Sequence, residues 1–310
     1  MKYDLIIIGG GPSGMSAGVY IARLGVRALL ITKEFGGQMG KKAVDIENYL
    51  GFPKISGPEL IKKMEEHLRS QEIDIEMDEV RQVSKKNDGF LVSTKTGKEY
   101  EAVSIIFASG ADPRPLEVPG EKEYIGKGVS YCALCDGPIF ADKIVAIIGG
   151  GNAGFETAIF LSKIAKKIYI LEFNDKPEAF EGNQKLVEET GKVQVITRAK
   201  LTEIHGKNFV DYITYEDRET GEKKSLEVQG VFIEVGHMPA TSYAKGLVDL
   251  NERDEVKVKP ETCETSTPGI FAAGDLNEGI FKQVVTAAGE GAKAALAAHN
   301  YIQKIKSPLK

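Results

Sequence analysis

Cysteine, histidine and long apolar runs are all scarce in this chain. Three cysteines in 310 residues cannot brace a disulfide scaffold, and in a reducing compartment a close pair is catalytic or metal-binding more often than structural. The four histidines (His67, His205, His237 and His299) are scattered. Neither they nor Cys263 gather into the four-ligand spacing of structural zinc, so no metal centre is expected and Cys263 reads as a packing residue. Lys and Arg total 40 against 45 Asp and Glu, a net charge of −5, so the basic footprint of a nucleic-acid-binding protein is missing. No apolar stretch approaches the ~18–20 residues of a membrane span. The short run in MKYDLIIIGGG leads straight into glycines, which reads as a first strand rather than a signal-peptide core. These absences point to a cytoplasmic protein without membrane segments.

Glycine, by contrast, is abundant at 34, and much of it stands in short loops after apolar strands. Two stretches look alike: DLIIIGGGPSGMSAGVYIARLGVRALLIT from Asp4, and IVAIIGGGNAGFETAIFLSKIAKKIYILE from Ile144. Each reads as strand, glycine turn, amphipathic helix and second strand, the βαβ unit of a parallel sheet. Gly9, Gly11 and Gly14 in the first, and Gly149, Gly151 and Gly154 in the second, fit G-x-G-x-x-G. The first glycine permits the tight turn, the second lets backbone approach a pyrophosphate, and the third allows close helix–strand packing. The helix N-terminus then offers free N–H groups to the phosphates. A lone motif of this kind is weak; two in the right context are strong.

Two Pro/Gly-rich stretches, Ala108–Gly120 and Gly236–Thr241, bracket the second repeat and read as linkers. The expected fold is therefore α/β, with two Rossmann-like three-layer domains, the second inserted into the first. Residues 1–113 and 241–310 form the outer domain and residues 114–240 the inserted one. FLVSTKTGKEYEAVSIIFAS reads as a hairpin followed by a buried strand, and GPELIKKMEEHLRSQ as an amphipathic surface helix.

GVSYCALCDGPIF places Cys132 and Cys135 two residues apart, with Asp136 next. Such a pair can close a small, strained disulfide; in its reduced form the thiols can have lowered pKa values and exchange readily with partner disulfides. Asp136 is a candidate proton donor or acceptor for those steps. Half a zinc site and an inert structural pair are the alternatives.

Together these features closely resemble the low-molecular-weight thioredoxin reductases over essentially the whole chain. The most specific element is Cys132-Ala-Leu-Cys135-Asp136 shortly before Gly149-Gly-Gly151-Asn152-Ala-Gly154. GGQM (Gly36–Met39), DIENYLGFP (Asp45–Pro53), ASGA (Ala108–Ala111), GIFAAGDL (Gly269–Leu276) and FKQVVTAAGEG (Phe281–Gly291) support it. The resemblance implies that the first glycine motif binds FAD and the second a nicotinamide nucleotide. By the same resemblance Gly9, Gly11, Pro12, Gly14, Gly37, Gln38, Asn48, Gly110, Gly274, Asp275, Lys282, Gln283 and Val284 hold FAD. Asp275 takes a ribityl hydroxyl, and the helix starting at Val284 points its positive end at the flavin. It also implies a mechanism: reduced flavin passes electrons to Cys135, Cys132 attacks the disulfide of thioredoxin or a thioredoxin-like protein, and Asp136 manages the protons. The resemblance further implies that the inserted domain turns about its linkers between the two half-reactions and that the protein is a homodimer.

The chain departs from the family where NADPH users carry arginines. Leu171-Glu172-Phe173-Asn174-Asp175-Lys176-Pro177-Glu178 contains none. An acid at Glu172, ~20 residues after the glycine motif, ordinarily bonds a ribose 2′-hydroxyl and repels a 2′-phosphate. NADH in place of NADPH, another donor such as reduced ferredoxin, and weak NADPH use all stay open. Lys282 stands where the family has Arg, and Tyr49 where it often has Trp, a residue the chain lacks altogether. The alternatives in other classes are a dithiol oxidase of the same build, a ferredoxin-dependent flavin disulfide reductase, and a flavin-binding redox sensor without turnover. The ferredoxin/flavodoxin–nicotinamide reductases lack the cysteine pair.

Overall fold

The computed structural model describes residues 2–41, 45–46 and 48–307; Glu47 of the DIENYLGFP motif lies outside the described residues. The chain divides into two compact units, residues 1–112 with 238–310, and residues 113–237. The first unit opens with β1 (Lys2–Gly10), α1 (Pro12–Arg23), β2 (Ala28–Phe35), α2 (Gln38–Lys41), β3 (Asp45–Ile46), β4 (Ile55–Ser56) and α3 (Gly57–Arg69). It continues through β5 (Asp74–Met77), β6 (Val80–Lys86), β7 (Gly89–Thr94) and β8 (Glu99–Phe107) to β9 (Ala111–Pro113) at the first crossing. The second unit contains β10 (Val129–Ser130), α4 (Ala133–Asp136), β11 (Ile144–Ile148), α5 (Asn152–Leu161), β12 (Lys167–Leu171), α6 (Glu181–Glu189) and β13 (Val193–Ile196). Its last strands are β14 (Ala199–Gly206), β15 (Val210–Asp217), β16 (Lys223–Glu227) and β17 (Gly230–Ile233). The chain returns through β18 (His237–Pro239) to β19 (Ile270–Ala272) and α7 (Val284–Lys306).

In the first unit the sheet order is β5-β2-β1-β8-β7-β6, with β19 also on β8. Strands β1, β2, β5, β8 and β19 run parallel, while β6, β7 and β8 form an antiparallel meander. The hairpin and the buried strand expected after Phe90 turn out to share β8. Its first half alternates in burial and pairs with β7, and its second half, buried throughout, pairs with β1 and β19. The switch follows the side chains: Glu99-Tyr-Glu101 alternates polar and apolar, whereas Ile105-Ile-Phe107 has two apolar faces to bury. Leu5, Ile6 and Ile7 of β1 are fully buried, and each contributes roughly 1.5–3 kcal/mol. The expected surface helix is α3. Ser56 caps it by accepting the Glu59 amide at 3.3 Å, and it buries Leu60, Ile61 and Leu68.

The second unit carries an all-parallel sheet, β10-β17-β11-β12-β13, and a separate antiparallel sheet, β14-β15-β16. Val145 and Ile147 of β11 pack with Phe155, Ala158 and Leu161 of α5 on one face of the parallel sheet. Ala146 and Ile148 face Leu201, Ile213 and Tyr215 of the antiparallel sheet on the other.

Small residues bring α1 and α7 together. Gly291 of α7 lies so close to α1 that a Cβ on it would fall 2.0 Å from the Ser13 carbonyl oxygen, while Gly289, two residues earlier, has open space around it. Gly291→Ala is therefore expected to destabilise the first unit by about 1–3 kcal/mol through overpacking. Gly289→Ala should be neutral or gain up to about 1 kcal/mol from helix propensity. Thermal unfolding of the two variants checks this; equal stabilities would refute the close-packing explanation.

Candidate active site

Cys132 and Cys135 form a disulfide, their Cα atoms 5.3 Å apart, across the single turn of α4. Cys132 has extended backbone and caps that turn: its Sγ accepts the Cys135 amide at 3.2 Å and its carbonyl the Asp136 amide at 3.0 Å. Both cysteines are partly exposed, whereas Asp136 is buried. Buried Ser130, which no sequence pattern singles out, organises the group. Its hydroxyl donates to Asp136 Oδ2 at 2.6 Å and accepts the Cys132 amide at 3.0 Å. One hydroxyl thus fastens the carboxyl and the first cysteine together. Behind them Glu121, 1% exposed, accepts the Tyr131 hydroxyl at 2.5 Å and the Leu116 and Glu117 amides. Burial and that carboxylate push the Tyr131 phenol well above its usual range, so Tyr131 is a fixed neutral neighbour of the disulfide.

The two glycine turns fit a bound pyrophosphate. At the first, a Cβ on Gly9 would fall 2.2 Å from the Ala108 carbonyl oxygen, and one on Gly14 would fall 1.9 Å from that of Gly9; around Gly11 nothing lies within 4 Å. At the second, Gly149 and Gly154 are equally confined, by Glu234 and Gly149 carbonyls, and Gly151 faces open space. In each turn the outer glycines are packed and the middle one fronts an open cradle at a helix N-terminus, the arrangement a phosphate needs. Pro12 occupies the first turn of α1, where its missing N–H is not needed.

The other residues expected at FAD gather within the first unit. Gly37 lies 4.0 Å from the Gly11 Cα by its would-be Cβ, Gln38 donates to the Ala111 carbonyl, and Asn48 Nδ2 reaches Gln283 Oε1 at 3.4 Å. Gln283 is the N-cap of α7 and Val284 its first residue. Gly110 lies in the stretch between β8 and β9. The Gly274–Asp275 turn is held by Glu290, which no local motif marks. One of its oxygens accepts the Gly274 amide and the Asn277 side-chain amide, both at 2.7 Å. Lys282 turns its ammonium onto the chain itself, to the Asp275 carbonyl at 3.1 Å, the Asn277 carbonyl, and Glu255 at 3.2 Å. It locks the Asp275 turn to the 255 segment. Burial pushes the Asp275 carboxyl up to about 6, with Lys282 opposing and Glu290 adding to the rise.

At the second turn Glu172 is 6% exposed. One oxygen accepts the Gly150 amide at 2.6 Å and the other the Asn174 amide at 2.7 Å; a carboxylate so engaged keeps lone pairs for a ligand hydroxyl. Asn152 accepts the Phe180 amide at 2.7 Å, so its side chain braces the loop over the turn. On the other side of β11, Glu234 follows β17 and accepts the Thr157 hydroxyl at 2.9 Å. Burial pushes Glu234 up to about 7, against the Thr157 bond and with help from Glu156.

A raised carboxyl pKa means that the folded protein holds a proton the unfolded chain has released. Its contribution to stability is therefore lost as pH rises through that window, here from about 4.5 to about 7 for Glu234. Glu234→Gln cannot ionise. Relative to wild type it should gain stability progressively over that range, read as the shift in denaturation midpoint against pH; a pH-independent difference would contradict the assignment.

A family model described as pyridine nucleotide-disulphide oxidoreductase matches residues 3–291. Among curated proteins, the chain is 40% identical over 301 residues to an NADH dehydrogenase of Bacillus subtilis, covering 97% of this chain and 58% of that protein. It is 41% identical over 313 residues to an alkyl hydroperoxide reductase component from Pseudomonas aeruginosa, covering 99% and 59%. The chain thus spans under two thirds of the length of these relatives. Among solved structures, thioredoxin reductase from Streptococcus pyogenes superposes with a TM-score of 0.90 at 37% identity, over 98% of this chain and 99% of that one.

Proposed function

Since the chain belongs to the pyridine nucleotide-disulphide oxidoreductase family, we propose that it is a flavin-dependent disulfide reductase that takes electrons from NADH and reduces thioredoxin or a thioredoxin-like protein. The observation that carries this reading is the formed Cys132–Cys135 disulfide with Ser130 and Asp136 fastened to it.

FAD, when bound at the first glycine turn, supplies the electron pair that opens the disulfide. The chain's own residues do the rest. The Cys135 amide aimed at Cys132 Sγ favours the thiolate there, because a hydrogen bond to the charged form stabilises it. Cys132 is accordingly the thiol that attacks the partner's disulfide. Cys135 then displaces the partner from the mixed disulfide, the partner leaves as a dithiol, and the Cys132–Cys135 bond re-forms. Asp136, held by Ser130, passes a proton to the leaving thiolate. Ser130→Ala should slow thioredoxin turnover about tenfold, the scale of the net contribution of one hydrogen bond, while bleaching of the flavin by nucleotide stays as in wild type. Unchanged thioredoxin turnover would remove Ser130 from the mechanism.

Glu172 supports NADH as the donor. Its buried carboxylate lies where a 2′-phosphate would have to fit, and the Bacillus relative carries NADH in its name. A second reading of the partner follows from the Pseudomonas relative: the disulfide acceptor belongs to an alkyl hydroperoxide reductase system. Anaerobic reduction of the FAD-loaded protein with NADH, NADPH and reduced ferredoxin in turn tests the donor. NADH should bleach the flavin at least about tenfold more efficiently than NADPH, equivalent to ~1.4 kcal/mol, and Glu172→Gln should narrow that ratio. Fastest bleaching by NADPH or ferredoxin would overturn the reading.

A further inference from the structure

The segment between β12 and α6 contains no arginine, but the fold brings two to it from the antiparallel sheet. Arg218, at the turn after β15, lays its guanidinium carbon 3.7 Å from the Phe173 ring centroid and donates to the Phe173 carbonyl at 2.8 Å. Arg198, just before β14, pairs with Asp175 at 3.0 Å and with Glu219, and its amide donates to the Asn174 carbonyl at 2.9 Å. The Arg198 carbonyl accepts the Arg218 amide at 2.7 Å. Arg198 sits at φ 55°, a left-handed conformation that a bulky residue keeps only where its surroundings over-determine it. These bonds do so, and they clamp the residues that follow Glu172.

Neither guanidinium stands ready for a phosphate. Arg198 is neutralised by Asp175 and Glu219, and Arg218 covers an aromatic ring. What the clamp presents instead is Phe173, which stays 48% exposed with Arg218 over its ring. Phe173 directly follows Glu172. In a dinucleotide-binding βαβ unit that acid reaches the adenosine ribose, so the next side chain stands beside the base.

We propose that Phe173 is the seat on which the adenine ring of the dinucleotide stacks, and that Arg218 is the positioning residue that holds it there. This rests on the nucleotide reading of the second unit. The Arg198 ion pairs make the seat rigid without offering a cation to a 2′-phosphate, so the seat and the acid select the same unphosphorylated nucleotide.

Two probes divide the nucleotide. ADP-ribose carries the adenosine but no nicotinamide, and its binding to the FAD-loaded protein is read by calorimetry. Reduced nicotinamide mononucleotide lacks the adenosine, and its reaction is read as anaerobic flavin bleaching. Phe173→Ala and Arg218→Ala should each weaken ADP-ribose about tenfold, the scale of base–aromatic stacking. They should raise half-saturating NADH by the same factor at unchanged limiting rate, and leave bleaching by the mononucleotide untouched. Phe173→Tyr should behave as wild type. ADP-ribose affinity unchanged in both alanine variants, equal losses with NADH and the mononucleotide, or no ADP-ribose binding by wild type would each overturn the proposal. ADP-ribose binding without bleaching by NADH would refute the donor reading and leave the adenine seat standing.

Discussion

In both units a helix begins pressed against the carbonyl oxygen of the strand turn that feeds it. A Cβ on Gly14 would fall 1.9 Å from the Gly9 oxygen, and one on Gly154 would fall 1.9 Å from the Gly149 oxygen. Only a residue without a side chain permits that approach, and the remaining geometry depends on it. The approach sets the free amides of α1 and α5 at the ends of β1 and β11. It leaves Gly11 and Gly151 fronting open space, and it places Gly150 where its amide catches Glu172. Two cofactor cradles follow from one packing rule applied twice.

The candidate site residues include several carboxyl groups, each held in a different way. Asp136 is fixed by one serine hydroxyl beside the disulfide. Glu172 is fixed by two backbone amides at the end of β12. Asp275 and Glu234 are partly buried, and desolvation pushes both carboxyls above their ordinary range, at Asp275 against the opposing charge of Lys282. Glu290 and Glu255 act as fasteners, holding the Asp275 turn and the Lys282 ammonium. The same functional group thus stands beside the disulfide, at the end of β12 and in structural ties, and its neighbours decide how it is held.

The glycine turns, the cysteine pair and the acid at Glu172 are legible in the sequence because each is a local pattern: a fixed spacing between a strand and a helix, or adjacent residues. The partners that make those residues work come from further away. Glu290 lies sixteen residues beyond the Gly274 amide it accepts, and Arg218 forty-five beyond the Phe173 carbonyl. No periodicity links such positions. Ser130 is close to Cys132, yet a serine in a short strand carries no mark of its partner. The absence of arginine after β12 is plain in the sequence, but the cations that the antiparallel sheet delivers to that loop become visible only once the chain is folded. β8 shows the same limit: its two halves read as separate elements, because pairing with β7 and with β19 gives them different burial patterns.

The central claim is that electrons from NADH reach the Cys132–Cys135 disulfide by way of the flavin. Anaerobic titration of the FAD-loaded protein with NADH, followed by alkylation and mass spectrometry, tests it most directly. Uptake should continue beyond the single equivalent that the flavin alone accepts, since the disulfide is itself a two-electron couple. Cys132 and Cys135 should become alkylated, while buried Cys263 stays unlabelled in the folded protein. Cys135→Ser should take up the flavin's equivalent only. Bleaching complete after that one equivalent in wild type, with Cys132 and Cys135 still bonded, would contradict the account.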